Sequence, residues 1–257
     1  MTSYADPSVS LSSARMPLLG FGTWQLSDEE AETATRAALD AGYRHVDTAT
    51  MYRNEAGVGR GLRASGLDRD DVFVTTKLPP DREGRERETL EQSLAALDVD
   101  AVDLWLVHWM PSDSVAVWRE VVRAREDGLA REVGVSNYTL ADLDELTDAT
   151  GVTPAVNQIR WSPALYDADV AAGHAERGVV LEGYSPFKTT DLGHPVLERV
   201  AAAHDATTAQ VVVAWHVAHG FVVIPKSAQP ERIVANAAGA RLALTDDEVR
   251  AVDGLAI

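Results

Sequence analysis

The stretch VFVTTKLPPDREGRERETLEQSLAALDVDAVDLWLVH, residues 72–108, decides the fold of this chain. It opens with the short apolar run VFVTTK and closes with VDLWLVH, and both have the length of a buried strand. Between these runs, Leu90, Leu94 and Leu97 recur at helical spacing and mark one apolar face of a helix. A strand, a helix and another strand in this order predict two parallel strands that are joined by a helical crossover.

The same alternation continues along the whole chain, at intervals of roughly 25–30 residues, which is the size of one βαβ unit. Eight apolar runs qualify as strands: LLGFG from Leu18, RHVD from Arg44, VFVTTK from Val72, VDLWLVH from Val102, EVGVSN from Glu132, AVNQI from Ala155, VVLEGY from Val179 and FVVIP from Phe221. Helical patterns lie between these strands. The first predicted helix begins with a capping box at Ser27 and Glu30, and the last begins at 245–248. Further helices are predicted at 115–127, 139–149, 168–177, 196–204 and 209–219.

Eight strand and helix units in about 250 residues are typical of a closed (β/α)8 barrel. An open dinucleotide-binding sheet would carry a glycine-rich loop after its first strand, and Gly20-Phe21-Gly22 lacks the third glycine of that loop. The glycines of GVGRG, Gly57 to Gly61, fall inside a helical pattern and predict close helix packing, not a phosphate loop. We therefore predict an α/β protein, a (β/α)8 TIM barrel that forms a single domain over residues 1–257, with an N-terminal β-hairpin in residues 1–17 beneath the barrel.

Composition narrows the class of protein. The 257 residues include no cysteine, which excludes disulfides and thiolate metal sites. A formal net charge of -17 disfavours binding to nucleic acid and to anionic lipid. No apolar run reaches about 18 residues, the length of a membrane-spanning helix, and the first residues do not resemble a signal peptide. We expect a cytoplasmic monomer that binds neither nucleic acid nor membranes.

Polar side chains stand at the C-terminal end of each predicted strand from the second onward. Barrel enzymes place their chemistry at this rim, so the pattern predicts an active site there. The residues concerned are Asp47, Lys77, His108, Ser136 with Asn137, Gln158, Tyr184 and Lys226.

Tyr52 follows Asp47 by five positions and predicts a general acid. A phenol has an ordinary pKa near 10, and a neighbouring ammonium lowers it. We expect Lys77, held charged by Asp47, to bring the pKa of Tyr52 toward 7, which requires about 4 kcal/mol. His108 would donate a second hydrogen bond to the oxygen that Tyr52 protonates, so the four residues predict an acid that acts on a carbonyl.

Reduction of a carbonyl also needs a hydride donor, and the remaining rim residues fit a nicotinamide cofactor. Tyr184 offers an aromatic face for the nicotinamide ring, while the polar groups of Ser136, Asn137 and Gln158 suit its carboxamide. Lys226, Ser227 and Arg232 cluster at a predicted helix N-terminus, which is a phosphate site.

These motifs resemble those of the aldo-keto reductase family over Met16 to Leu255, specifically its compact bacterial members, which reduce aldehydes, dicarbonyls and diketo sugar acids. The segments that carry the resemblance are GYRHVDTATMYRNEAGVG, TTKL, LVHW, GVSN, NQI, YSP and IPKSAQPERIVAN. The resemblance implies that Tyr52 is the acid, that His108 orients the substrate and that Asp47 and Lys77 tune Tyr52. It also implies NADPH, bound in an extended form.

The predicted site residues fall into three groups. The catalytic residues are Tyr52, Lys77, Asp47 and His108. The cofactor contacts are Gly22, Thr23, Asp47, Ser136, Asn137, Gln158, Tyr184, Ser185, Pro186, Phe187, Lys188, Ile224, Lys226, Ser227, Arg232 and Asn236. The substrate contacts are Trp24, Met51, Tyr52, His108 and Trp109, and no metal site is predicted.

Three alternatives remain beside a reductase. A Schiff-base aldolase would use Lys77 as its nucleophile. A metal hydrolase would use His45 with Asp47 and His108, or His216 with His219, but we expect His45 to point away from Asp47. A sensor or regulatory subunit would bind NADP(H) without turnover or with very slow turnover, since a fold does not determine function.

Overall fold

The computed structural model of the chain describes residues 7–256, and ten strands and ten helices lie within them. The strands are β1 Ser8–Ser10, β2 Arg15–Pro17, β3 Phe21–Gly22, β4 His45–Asp47, β5 Phe73–Leu78, β6 Val102–Val107, β7 Ala130–Ser136, β8 Val156–Arg160, β9 Val180–Tyr184 and β10 Val222–Ile224. The helices are α1 Asp28–Asp40, α2 Glu55–Ala64, α3 Glu86–Leu97, α4 Ser114–Glu126, α5 Leu140–Thr150, α6 Ala168–Glu176, α7 Pro195–Ala203, α8 Thr208–Ala218, α9 Pro230–Gly239 and α10 Asp246–Asp253.

Strands β3 to β10 form one parallel sheet in sequence order, and each pairs with the next strand along the chain. A parallel bridge between Leu19 and Val223, with hydrogen bonds from Gly20 N to Val223 O and from Gly22 N to Pro225 O, brings the first strand against the last. The predicted (β/α)8 barrel is therefore confirmed.

The N-terminal strands β1 and β2 pair in an antiparallel hairpin, as predicted, although residues 1–6 of that prediction lie outside the described part of the chain. The turn between the strands is attached to the first half of β7, because Ser12 and Ser13 both donate to the carboxylate of Glu132. Met16 is fully buried and packs with Phe73 and other residues of the barrel interior. The hairpin thus covers the end of the barrel at which the strands begin.

Glycines allow α2 to pack closely against its neighbours, as the GVGRG pattern predicted. A Cβ atom on Gly57 would lie 1.9 Å from the carbonyl oxygen of Asp28, and one on Gly59 would lie 2.4 Å from that of Leu97. Real Cβ atoms do not approach backbone atoms this closely, so only glycine fits. The contacts hold α2 between α1 and α3 and position the segment that precedes it, which carries Tyr52.

Helix starts follow the expected local chemistry. The side chain of Ser27 accepts from Glu30 N, and the Glu30 carboxylate accepts from Ser27 N, which is the predicted capping box of α1. Thr245 and Glu248 form the same arrangement at α10. Such caps satisfy backbone N–H groups that have no partner within the helix. None of the helices in residues 7–256 has both the length and the hydropathy that a bilayer crossing requires.

Candidate active site

Strand order brings the four predicted catalytic side chains to one rim of the barrel. Asp47 ends β4, Lys77 lies near the end of β5, and His108 directly follows β6. Tyr52 ends a single 3-10 turn, Thr50–Tyr52, shortly after β4. Because β4, β5 and β6 are neighbours in the sheet, residues that are far apart in sequence meet at one rim of the barrel.

Lys77 is the centre of this group. Its side chain is fully buried, and its ammonium nitrogen donates to Asp47 Oδ1 at 2.6 Å and to the carbonyl oxygen of Thr48 at 2.8 Å. The same nitrogen lies 3.5 Å from the hydroxyl oxygen of Tyr52. Burial lowers the pKa of Lys77, but the charges of Asp47 and Tyr52 outweigh it and leave the pKa above its ordinary value. A protonated amine has no free electron pair, which disfavours the Schiff-base aldolase.

Tyr52 is half-buried beside Lys77, and its pKa differs from the sequence-based expectation. Burial raises the pKa of Tyr52 above its ordinary value and outweighs the opposing charge of Lys77. Lys77 lowers this pKa, as expected, but the expectation that it brings the pKa toward 7 is wrong, because desolvation of the phenolate costs more than the ammonium returns. Tyr52 keeps its proton at neutral pH, which is the state that a proton donor requires.

His108 lies against the edge of the Tyr52 ring, with ring centres 5.6 Å apart. Burial, together with the charge of Lys77, lowers the pKa of His108 to about 3. The imidazole is therefore neutral at physiological pH and keeps one N–H group for donation to an oxygen atom. Tyr52 and His108 thus present two donors to one small volume at the rim.

A chain of hydrogen bonds connects Asp47 with the predicted nicotinamide contacts. Gln158 Nε2 donates to Asp47 Oδ2 at 2.8 Å, and Ser136 Oγ donates to Gln158 O at 2.8 Å. Asn137 Nδ2 donates to Ser136 Oγ at 2.9 Å, and the Tyr184 hydroxyl donates to Asn137 Oδ1 at 2.8 Å. The half-buried ring of Tyr184 is thereby fixed at the rim, and its role toward a cofactor stays a prediction.

Left-handed backbone marks the same rim. Four non-glycine residues with positive φ directly follow a predicted site residue, and such strained conformations cluster at functional sites. These four are Gln25 (62°) after Trp24, Arg53 (59°) after Tyr52, Asn137 (65°) after Ser136 and Ser185 (55°) after Tyr184.

The segment before α9 has the features of an anion site. Lys226 and Arg232 are exposed, and within residues 7–256 neither forms an ion pair. Ser227 is buried beside the helix start and accepts at its Oγ from Gln229 N, at 3.0 Å. Two exposed cations at a helix N-terminus, in a chain of net charge -17, fit a phosphate group.

Other predicted cofactor contacts differ in how accessible they are. Gly22 pairs with Asp47 in the sheet, and Thr23 is fully buried with its hydroxyl donating to Asp47 O. Lys188 lies with its ammonium 4.1 Å from the centre of the Trp24 ring, in a cation–π contact. Of the rest, Pro186, Ile224 and Asn236 are buried, Ser185 is half-buried, and Phe187 packs against the apolar core.

Three of the five predicted substrate contacts are large apolar side chains that stay exposed in loops at this rim. The exposed fractions are 42% for Trp24, 50% for Met51 and 46% for Trp109. Met110, which is 47% exposed, is a fourth side chain of this kind and was not predicted, although it directly follows Trp109. Large exposed apolar side chains at one opening indicate a binding surface.

The histidines of the metal-hydrolase alternative have other partners. His45 Nε2 lies 3.1 Å from Thr75 Oγ1 inside the barrel, in the layer beneath Asp47. The expectation that His45 points away from Asp47 is wrong, because residues two apart in a strand share one face. His216 is buried against Gly183 on the outer side of β9, and His219 Nε2 lies 2.8 Å from Asp253 Oδ1.

Comparison with known proteins agrees with this geometry. The model of the Aldo/keto reductase family matches residues 18–257. The chain is 43% identical over 259 residues to "2,5-diketo-D-gluconic acid reductase B" of Corynebacterium sp., covering 97% of this chain and 93% of that protein.

Two solved structures extend the comparison. A crystal structure of an aldo/keto reductase from Brucella melitensis superposes with a TM-score of 0.93 and 38% identity, covering 98% of both chains. The Bombyx mori aldo-keto reductase in complex with NADP superposes with a TM-score of 0.91 and 29% identity, covering 99% of this chain and 94% of that one. The family model and the relative each cover nearly the whole chain, so this protein belongs to the Aldo/keto reductase family.

Proposed function

We propose that this protein reduces aldehyde or ketone carbonyls to alcohols with NADPH, and that Tyr52 donates the proton. The observation that carries the proposal is the position of the Lys77 ammonium, 2.6 Å from Asp47 Oδ1 and 3.5 Å from the Tyr52 hydroxyl, at the open rim of the barrel. Membership in the Aldo/keto reductase family and the silkworm relative crystallised with NADP support the choice of reaction and cofactor.

The residues present fit NADPH. Lys226, Ser227 and Arg232 would hold its 2′-phosphate at the start of α9, because that segment carries two exposed cations and backbone N–H groups. The Tyr184 ring would hold the nicotinamide, and the linked side chains of Ser136, Asn137 and Gln158 would bind its carboxamide. When bound, NADPH supplies the hydride that the carbonyl carbon receives.

Side chains of the protein then bind the carbonyl oxygen and protonate it. His108, held neutral, donates a hydrogen bond to it and orients the substrate. As negative charge develops on the oxygen, the O–H bond of Tyr52 breaks and a new O–H bond forms on the product. The phenolate left behind lies beside the Lys77 ammonium, which stabilises it until a proton from water restores the phenol. Oxidation of an alcohol follows the same steps in reverse.

Small carbonyl compounds are the substrate class that the rim favours. Trp24, Met51, Trp109 and Met110 offer apolar contacts around an opening that is polar at its base. The relative named as a diketo-D-gluconic acid reductase acts on a keto sugar acid, so aldehydes, dicarbonyls and keto sugars are the compounds to examine. We also propose that the protein acts in the cytoplasm as a monomer.

The test is NADPH oxidation, followed at about 340 nm, with a panel of aldehydes, dicarbonyls and keto sugars. Turnover with any of these classes supports the proposal and ranks the substrates. If NADPH binds and no carbonyl in the panel is reduced, the protein is a cofactor sensor. If NADPH does not bind, both interpretations fail.

A further inference from the structure

The carboxyl group of Glu182 lies inside the barrel, where nothing in the proposed reaction uses it. Glu182 belongs to β9, between Gln158 of β8 and Val222 of β10 in the sheet register, and its side chain is fully buried. Within residues 7–256, neither carboxyl oxygen makes a hydrogen bond of normal geometry, and Oε1 lies 3.8 Å from Nε2 of the neutral His45 ring. Gln158 and Lys77 favour the ionised form, but a carboxyl group that is fully buried with so few partners is still costly to ionise.

The groups that face Glu182 include the catalytic residues themselves. Across the barrel interior, β4 contributes His45 and Asp47, and β5 contributes Lys77, while the turn after β4 contributes Tyr52. The flanking strands contribute the neutral side chains of Gln158 and Val222. On the outer side of β9, His216 contacts the adjacent Gly183, and its burial lowers its pKa to about 4.

Glu182 changes its charge in a pH range in which the two nearby histidines do not. The pKa of Glu182 is raised to about 8, chiefly by burial and next by the charge of Asp47. Burial and the charge of Lys77 lower the pKa of His45 to about 3, so this ring stays neutral. Above neutral pH, Glu182 therefore adds a negative charge to the interior.

This added negative charge raises the pKa of both Tyr52 and Lys77. Burial makes the largest contribution to the raised pKa of Tyr52, and the charge of Glu182 raises it further. The charge of Glu182 also acts with that of Asp47 to raise the pKa of Lys77. An ionised Glu182 therefore favours the neutral phenol of Tyr52 and the protonated amine of Lys77.

We propose that Glu182 is a positioning residue that acts through Lys77 and Tyr52, and that its ionisation extends the pH range in which Tyr52 keeps its proton. The inference rests on the proposed function, because it assigns the proton donor to Tyr52. Ionised Glu182 sustains carbonyl reduction into alkaline solution, since reduction needs the phenol. It also delays alcohol oxidation, since oxidation needs the phenolate as a base.

The test compares pH profiles of kcat in both directions for the full-length wild type, Glu182→Gln and Glu182→Asp. In Glu182→Gln, the pH at which reduction falls to half should move down by about one unit or less, the order of a Coulomb interaction that an effective dielectric constant near 20 screens. The onset of alcohol oxidation should move down by the same amount. Glu182→Asp keeps a carboxyl group and should stay closer to the wild type.

A second measurement does not depend on turnover. The folded-state pKa of Glu182 is raised, so its stabilising contribution is complete below the ordinary pKa of 4.5 and is lost as pH rises through about 8. The Tm of Glu182→Gln relative to the wild type should therefore increase across this window. Glu182→Met, which is also uncharged, should show the same trend and replaces Glu182→Gln if that variant does not fold.

Different outcomes separate the inference from the proposed function. Unchanged pH profiles in active Glu182→Gln, or a Tm difference that is constant with pH, overturn the inference and leave a structural role. Absence of turnover in the wild type overturns the proposed function instead, while the dependence of Tm on pH still decides whether Glu182 ionises in the folded protein.

Discussion

The ammonium nitrogen of Lys77 lies 3.5 Å from the hydroxyl oxygen of Tyr52 and 5.0 Å from the centre of its ring. The two residues come from adjacent strand and loop units. Thr50 Oγ1 donates to the carbonyl oxygen of Lys77 at 3.0 Å and so attaches the turn that carries Tyr52 to β5. The position of the phenol therefore depends on both β5 and the turn that follows β4. Substitution of the buried Lys77–Asp47 pair should disturb this arrangement most.

Asp47→Asn should lower both activity and stability. It removes the counter-charge of a fully buried ammonium, and breaking such a pair costs about 3–5 kcal/mol of the free energy of unfolding. Urea unfolding measures this cost. The matched control is Asp40→Asn, which removes a pair with Arg36 whose two side chains are each 62% exposed and should cost less than about 1 kcal/mol. Equal costs for both variants would show that Lys77 does not depend on Asp47.

Gly59→Ala should destabilise the packing of α2 on α3. The new Cβ would lie 2.4 Å from the carbonyl oxygen of Leu97, so the helices must separate, at a cost of about 1–3 kcal/mol. The control is Gly254→Ala, where φ is −66° and the nearest atom lies 3.4 Å away. Thermal unfolding compares the two variants. A Tm loss in Gly254→Ala as large as that in Gly59→Ala would contradict the packing account.

Arg232→Ala should raise the Michaelis constant for NADPH by about 10-fold or more, since a charged hydrogen bond contributes about 1.5–3 kcal/mol. The constant for NADH, which lacks the 2′-phosphate, should change little. Arg63→Ala is the control, because Arg63 lies in the last turn of α2 and pairs with Asp98. If Arg232→Ala weakens both cofactors equally, the 2′-phosphate does not bind at the start of α9.

Much of the barrel was predictable because its signals are local. Apolar runs located all eight strands, and the capping boxes located the starts of α1 and α10, since both depend on residues that are neighbours in sequence. Because the C-terminal ends of the strands lie at one rim, the sequence also predicted that Asp47, Lys77 and His108 lie close together. The direction of His45 was a local error, because residues two apart in a strand share one face. The pKa of Tyr52 was wrong for another reason, since several distant groups act on one atom.

Tyr52 and Glu182 show this limit. The sequence indicates that an ammonium lies near Tyr52, but the depth of burial that outweighs it depends on the assembled pocket. Glu182 stands inside the apolar run VVLEGY, and a carboxyl residue in a fully buried strand was a signal that sequence analysis did not use. The contact of Lys188 with Trp24 joins two loops whose conformations no local pattern determines.

The most direct test of the central claim is Tyr52→Phe, with NADPH affinity measured by titration calorimetry and kcat measured with the best carbonyl substrate. We predict unchanged NADPH affinity and a loss in kcat of about 100-fold to 10,000-fold, because the proton donor is absent. Tyr166→Phe, a change beside Trp161 and Trp215, should keep both values. Turnover near the wild-type rate in Tyr52→Phe would contradict the assignment of Tyr52 as the proton donor.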